Sequence, residues 1–113
     1  MRAINRLKKN EDFRRVYQKK RSMANKLLII YILKNKYEYN RVGFTVSKKV
    51  GKSVIRNRVK RLLRESCRLN EEKILQGYDI IFIARNTASK ASYKEIENAM
   101  MHLFGKMKLV KKL

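Results

Sequence analysis

Residues 47 to 66, SKKVGKSVIRNRVKRLLRES, hold eight Lys and Arg against one acid, Glu65. The chemistry open to such a set is capture of phosphate, with guanidinium forks matching phosphate oxygens and ammonium groups adding point charge. Arg56, Lys60 and Arg64 recur at i, i+4 and i+8, where like charges on one helix face oppose folding by about a few tenths of a kcal/mol per pair. Arg58, Arg61, Arg68 and Asn57 share the same arc of a helix spanning 54 to 69, and Lys48, Lys49 and Lys52 crowd the loop before it. The opposite arc, Ile55, Val59, Leu62, Leu63, Ser66 and Leu69, is the core side. A solvated face would alternate signs. This one does not, so a polyanion outside the chain is expected to supply the balance.

Aromatic side chains form a second candidate set. Phe13 and Tyr17 share a face of a short helix over 11 to 20, and Tyr31 interrupts the aliphatic run LLIIYIL. These rings are either core or a stacking platform for single-stranded nucleic acid, with Arg14, Arg15, Lys19 and Lys20 tracking a backbone.

Other chemistry is poorly served. The GKS at 51 to 53 lacks the glycine that a phosphate-binding P-loop needs five residues earlier, where Val46 stands. His102 lies beside an apolar stripe and reads as structural. Cys67 borders the apolar arc and reads as a buried, inert thiol. Asp79 opens a strand with no carboxylate near it in sequence, and no cluster has metal-ligand spacing.

The elements that must position these residues follow from periodicity. Asn10 reads as an N-cap, with Glu11 and Asp12 favourably placed in the first helical turn. LLIIYIL at 27 to 33 reads as a strand buried on both faces. RVGFTVS at 41 to 47 alternates Val42, Phe44 and Val46 with a small, polar face of Gly43, Thr45 and Ser47, the kind of face on which something else must lie. Gly51 serves either a turn or close approach to a partner. YDIIFIA at 78 to 84 is a further strand. Ser92 and Glu95 form a capping box for a last helix with Gly105 at its C′ position. Residues 1 to 9 read as a loosely held arm, and KMKLVKKL as a basic tail. The order α-β-β-α-β-α, with room for one more strand in its ambiguous region, makes an α+β sandwich, a sheet covered by helices.

The whole chain has 113 residues, 44% hydrophobic, and a net charge of +21. That length and apolar content suit a single domain over 1–113 with a real core. The charge calls for nucleic acid or an anionic surface. A lone cysteine fits a reducing compartment. No apolar run follows the opening residues, and LLIIYIL is far short of the roughly 20 residues that span a bilayer. A soluble, cytoplasmic protein without a membrane role is therefore expected.

GFTVSKKVGKSVIRNRVKRLLRE closely resembles the RNR-motif region of the bacterial ribonuclease P protein component, NRLKKNEDFRRVY its first helix, and YDIIFIAR its last strand. The resemblance covers nearly the whole chain, with the termini matching least. It implies a non-catalytic protein beside a large RNA that removes the 5′ leader of precursor tRNA with magnesium ions, which the RNA and substrate mainly bind. It further implies that Arg56, Asn57, Arg58, Lys60, Arg61 and Arg64 face the ribonuclease P RNA, and that Phe13, Tyr17 and Tyr31 line a cleft for the leader. Its fold is an α-β sandwich with a left-handed β-α-β crossover, against the general right-handed preference. No protein partner is implied. The competing classes are a ribosomal-type structural RNA-binding protein and a DNA-binding protein with this helix in the major groove. The latter lacks a preceding helix-turn-helix partner. A membrane-surface helix is disfavoured because the core already needs its apolar face.

Overall fold

The computed structural model describes residues 4–112. The elements are α1 (Asn10–Gln18), β1 (Ser22–Ala24), β2 (Leu28–Lys34), β3 (Arg41–Thr45), α2 (Ser53–Leu69), β4 (Tyr78–Ala84) and α3 (Tyr93–Lys106). The four strands form one sheet in the order β1-β2-β4-β3. β1 and β4 run antiparallel to β2, while β3 runs parallel to β4. The connection from β3 through α2 to β4 is thus a β-α-β crossover between neighbouring strands, the unit whose left hand the resemblance implied.

The period of two divides the sheet residues between two layers. Leu28, Ile30 and Ile32 of β2, Val42 and Phe44 of β3, and Ile80, Phe82 and Ala84 of β4 point into the main core, against Val59 and Leu63 of α2 and Ile96, Met100, Leu103 and Phe104 of α3. Ile81 and the half-buried Tyr31, Leu33 and Ile83 point to the other face, against Val16, Phe13 and Tyr17 of α1. The run LLIIYIL is therefore fully buried on one face only. Its other face lies under a single short helix that leaves it half open.

Several expectations are corrected. Lys9, not Asn10, is the N-cap of α1, and its side chain makes no capping bond. The arm before α1 is held from residue 4: Leu7 is buried, the Leu7 N–H donates to the Val42 carbonyl at 3.0 Å, and Val42 N–H donates to the Asn5 carbonyl at 2.9 Å. This covers the free edge of β3, which a sheet otherwise exposes to unwanted pairing. Residues 1 to 3 of that arm lie outside the described residues. β3 ends at Thr45. The capping box of Ser92 and Glu95 is present, but Gly105 lies inside α3, and Lys108 takes the left-handed conformation beyond it with φ 61°. The basic tail is anchored through buried Met107 and Leu109 and a bridge from Val110 to Ile74. Leu69 ends α2 exposed, and Cys67 takes its place in the core.

Candidate nucleic-acid interface

α2 starts after a single helical turn at Lys48–Val50 whose buried Val50 roots the loop. Gly51 follows with φ 155°, and a Cβ there would meet Ile55 at 3.0–3.1 Å. A turn and a close packing contact are reason enough for glycine at this position. Val50 in the core and the turn behind it hold Lys48, Lys49 and Lys52 out into solvent.

The polar arc of α2 is not uniform. Arg56 Nε donates to the Gly51 carbonyl at 3.1 Å, and Arg58 Nη2 donates to the Ala91 carbonyl at 2.8 Å, tying α2 to the segment that leads into α3. Arg68 pairs with Glu65. Asn57, Arg61 and Arg64 are exposed, Lys60 is half-buried, and none of these four forms an ion pair or side-chain hydrogen bond with another described residue. The predicted set thus splits into residues that also brace the helix (Arg56, Arg58, Arg68) and residues whose donors are free for an external anion.

On the opposite face of the sheet the three predicted aromatics come together. The rings of Tyr17 and Tyr31 meet edge to face with centroids 4.9 Å apart, and Phe13 follows at 6.4 Å from Tyr17. All three are half-buried: each has one side in the small core of Leu7, Val16 and Ile81 and another open to solvent. These side chains are thus part core and part surface. Arg14 and Arg15 stand exposed on the same helix, and Lys19 and Lys20 just past its end.

Sequence reasoning missed a charged cluster that joins α1, β3 and β4. Arg41 Nε and Nη2 donate to Asp79 at 2.9 and 2.6 Å, and Nη1 donates to Asp12 at 3.3 Å. Asn35 donates to Asp79 at 3.0 Å, and Arg15 to Asp12 at 3.3 Å. The hydrogen bond to Asp79 is the main reason that the Arg41 guanidinium holds its proton above the ordinary arginine value. Asp79, which has no carboxylate near it in sequence, shares Arg41 with Asp12 from 67 positions away. Only the acid in a first helical turn hinted at this, and the dipole accounted for it without a partner.

The remaining reactive groups are quiet. Cys67 is buried, and desolvation pushes its thiol up to about 12. His102, expected to be structural, is exposed, with Nδ1 3.2 Å from Asn25 Nδ2. Among the described residues, no group of three or more His, Cys, Asp or Glu could hold a metal ion. No described helix is long and apolar enough to cross a membrane.

An α+β protein with an arginine-rich helix on one face and half-buried rings flanked by exposed bases on the other falls in the class of polyanion binders. The family model for ribonuclease P matches residues 1–108. The ribonuclease P protein component of Alkaliphilus oremlandii is 76% identical over 110 residues, covering 97% of this chain and 96% of that protein. That of Clostridioides difficile is 57% identical over 98 residues, covering 86% of each. The solved structure of the Staphylococcus aureus ribonuclease P protein superposes with a TM-score of 0.86 at 39% identity, covering 94% of this chain and 97% of that one. The Thermotoga maritima protein gives 0.83 at 29% identity, covering 90% and 96%. The chain belongs to the ribonuclease P protein family. It is a protein component of that ribonucleoprotein endoribonuclease of tRNA processing, and its partners are RNA.

Proposed function

We propose that the protein joins two RNAs through opposite faces of its sheet. α2 and the preceding loop dock on the ribonuclease P RNA through Lys48, Lys49, Lys52, Arg56, Asn57, Arg58, Lys60, Arg61, Arg64 and Arg68. The cleft of Phe13, Tyr17 and Tyr31 receives the single-stranded 5′ leader of precursor tRNA. The observation that carries this reading is the half-open row of rings on the face turned away from α2. A structural RNA-binding protein needs the basic helix but has no use for a stacking row on the other side. Bases stacked there gain roughly 1–3 kcal/mol each without sequence preference.

Chemistry is assigned to the RNA subunit, where magnesium would supply activation of water and charge for the leaving oxygen. The protein's own carboxylates do not fit that ion: Asp79 and Asp12 are engaged by Arg41, a fixed cation between them. The protein's contribution is to hold the leader and to neutralise phosphates, so that RNA and substrate assemble at lower magnesium. This places its work in the cytoplasm, beside nascent tRNA.

The test is 5′ cleavage of leader-bearing precursor tRNA at low magnesium by a bacterial ribonuclease P RNA, with and without the protein. Cleavage only when both are present supports the reading. Cleavage by RNase-treated protein alone would reveal a protein nuclease site, and no enhancement would return the protein to a structural role.

A further inference from the structure

The loop from β2 to β3 carries two tyrosines outside the cleft. The rings of Tyr37 and Tyr39 stack with centroids 5.1 Å apart and planes 22° from parallel, and they remain 46% and 40% exposed. The Arg41 guanidinium lies 4.9 Å from the centroid of Tyr37 and is itself fixed by Asp79 and Asp12. The backbone is equally constrained. The Tyr37 N–H donates to Asn35 Oδ1 at 2.8 Å, and Asn35 Nδ2 donates to the Tyr39 carbonyl at 3.2 Å. Buried Asn40 then donates to the Leu75 carbonyl at 2.9 Å and accepts from the Tyr78 N–H at 2.8 Å. A pair of rings held this way is presented without the ordering cost of a free loop.

Beside Tyr37 opens a cavity of about 570 Å³ whose lining includes Lys9, Arg15, Lys34, Lys36 and Arg41. Asp12 and Asp79 are paired with Arg41 and Arg15, leaving Glu11 against Lys9, Lys34 and Lys36. Aromatic faces with flanking ammonium groups suit bases and phosphates of a single strand. The cavity borders the three rings: Leu33 lines it and also packs in the apolar cluster that holds Phe13, Tyr17 and Tyr31.

Resting on the leader-cleft reading, we infer that Tyr37, Tyr39 and this cavity form a second stacking subsite for the same leader strand. Register sets the direction. Arg41 pairs with Asp79 at the tyrosine end of β4, and Thr45 pairs with Ile83 at the end that leads to Lys48, Lys49 and α2. Five strand residues separate the two ends by roughly 15 Å. With the catalytic RNA docked at α2, the nucleotides that reach Tyr37 are those far from the cleaved bond.

The experiment measures affinity of the reconstituted holoenzyme for precursor tRNAs whose leaders either end within the cleft or run past it. The Tyr37→Ala/Tyr39→Ala protein is expected to lose about tenfold on the long leader and nothing on the short one. Tyr37→Phe/Tyr39→Phe, which keeps the rings, retains the long-leader affinity. Tyr17→Ala weakens both leaders. Unchanged long-leader binding in the double alanine variant, with Tyr17→Ala still weakening both, overturns the second subsite alone. So does an equal loss on both leaders from the double variant, which marks a different partner or a folding effect. No effect of Tyr17→Ala on either leader overturns the cleft reading and this subsite with it.

Discussion

The ring of Phe13 lies directly on the α carbon of Gly43: a Cβ added there would stand 2.5 Å from Phe13 Cζ and 2.7 Å from Cε1. This contact explains the small face of β3. The object that must lie on that face is α1 of the same chain, and the ring that occupies it is one of the three that form the cleft. Gly43 therefore sets the depth at which Phe13 sits, 6.4 Å from Tyr17.

Gly43→Ala is expected to lift Phe13 and destabilise the fold by about 1–3 kcal/mol, the usual cost of overpacking. Urea denaturation measures the loss. The same variant should bind leader-bearing precursor less well while its affinity for the ribonuclease P RNA is kept. Wild-type stability would show that Phe13 moves freely and that the cleft is not set by this contact.

Arg41 holds α1, β3 and β4 together through Asp12 and Asp79, and the Asp79 side chain is only 3% exposed. Arg41→Ala leaves that carboxylate buried without its cation, and a loss of about 3 kcal/mol is expected in chemical denaturation. Arg41→Lys should recover only part of it, because an ammonium cannot reproduce the two parallel bonds to Asp79. Full recovery by lysine would mean that charge alone matters.

The basic face of α2 should divide in two. Arg61→Ala and Arg64→Ala are expected to leave thermal stability unchanged, weaken binding to the ribonuclease P RNA, and each reduce the slope of log affinity against log salt by about one. Arg58→Ala removes the bond to the Ala91 carbonyl as well, so it should also cost about 1 kcal/mol of stability. Identical behaviour of all three in both assays would contradict the division.

Glu97 accepts hydrogen bonds from Asn70 at 3.0 Å, Tyr93 at 2.9 Å and Lys94 at 3.2 Å, joining the end of α2 to α3. The bond from Asn70, followed by those from Tyr93 and Lys94, holds its carboxyl below the ordinary glutamate value. A pKa depressed by folding stabilises the fold above the unfolded value, about 4.3, and that contribution is lost as pH falls through the folded value. Glu97→Gln is expected to be less stable than the wild type by about 1 kcal/mol at neutral pH. The difference should shrink on acidification below about 4.3. A gap independent of pH would assign the loss to packing instead.

Much of this was legible in the sequence because local pattern and global fold agree. Helix α2 follows from period 3.6 within one residue, strand β4 from its short apolar run, and the Ser92–Glu95 box marks the start of α3. Legibility failed where tertiary context decides. Leu69 matches the apolar arc but falls at a helix end, beyond the reach of the core. Gly105 looks like a stop signal, yet the helix runs on to Lys106 and its C-cap, Met107, is buried in the core. The arm around Leu7 has no periodicity because it is a single bridge to β3. The Arg41 cluster joins residues that no local spacing links, and the Tyr37–Tyr39 stack depends on a loop held by Asn35 and Asn40. The aromatic cleft itself needed no choice between core and surface, since half-burial provides both.

The central claim is that the two faces act on different RNAs. The most direct measurement is the affinity of holoenzymes carrying wild-type, Tyr17→Ala or Arg64→Ala protein for precursor tRNA and for mature tRNA, at a protein concentration that saturates the ribonuclease P RNA. Tyr17→Ala should weaken precursor binding by about tenfold and leave mature tRNA unaffected, while Arg64→Ala should leave both affinities unchanged once the protein is bound. Equal loss of precursor and mature tRNA in Tyr17→Ala, with the fold intact, would contradict the account and return these rings to a purely structural role.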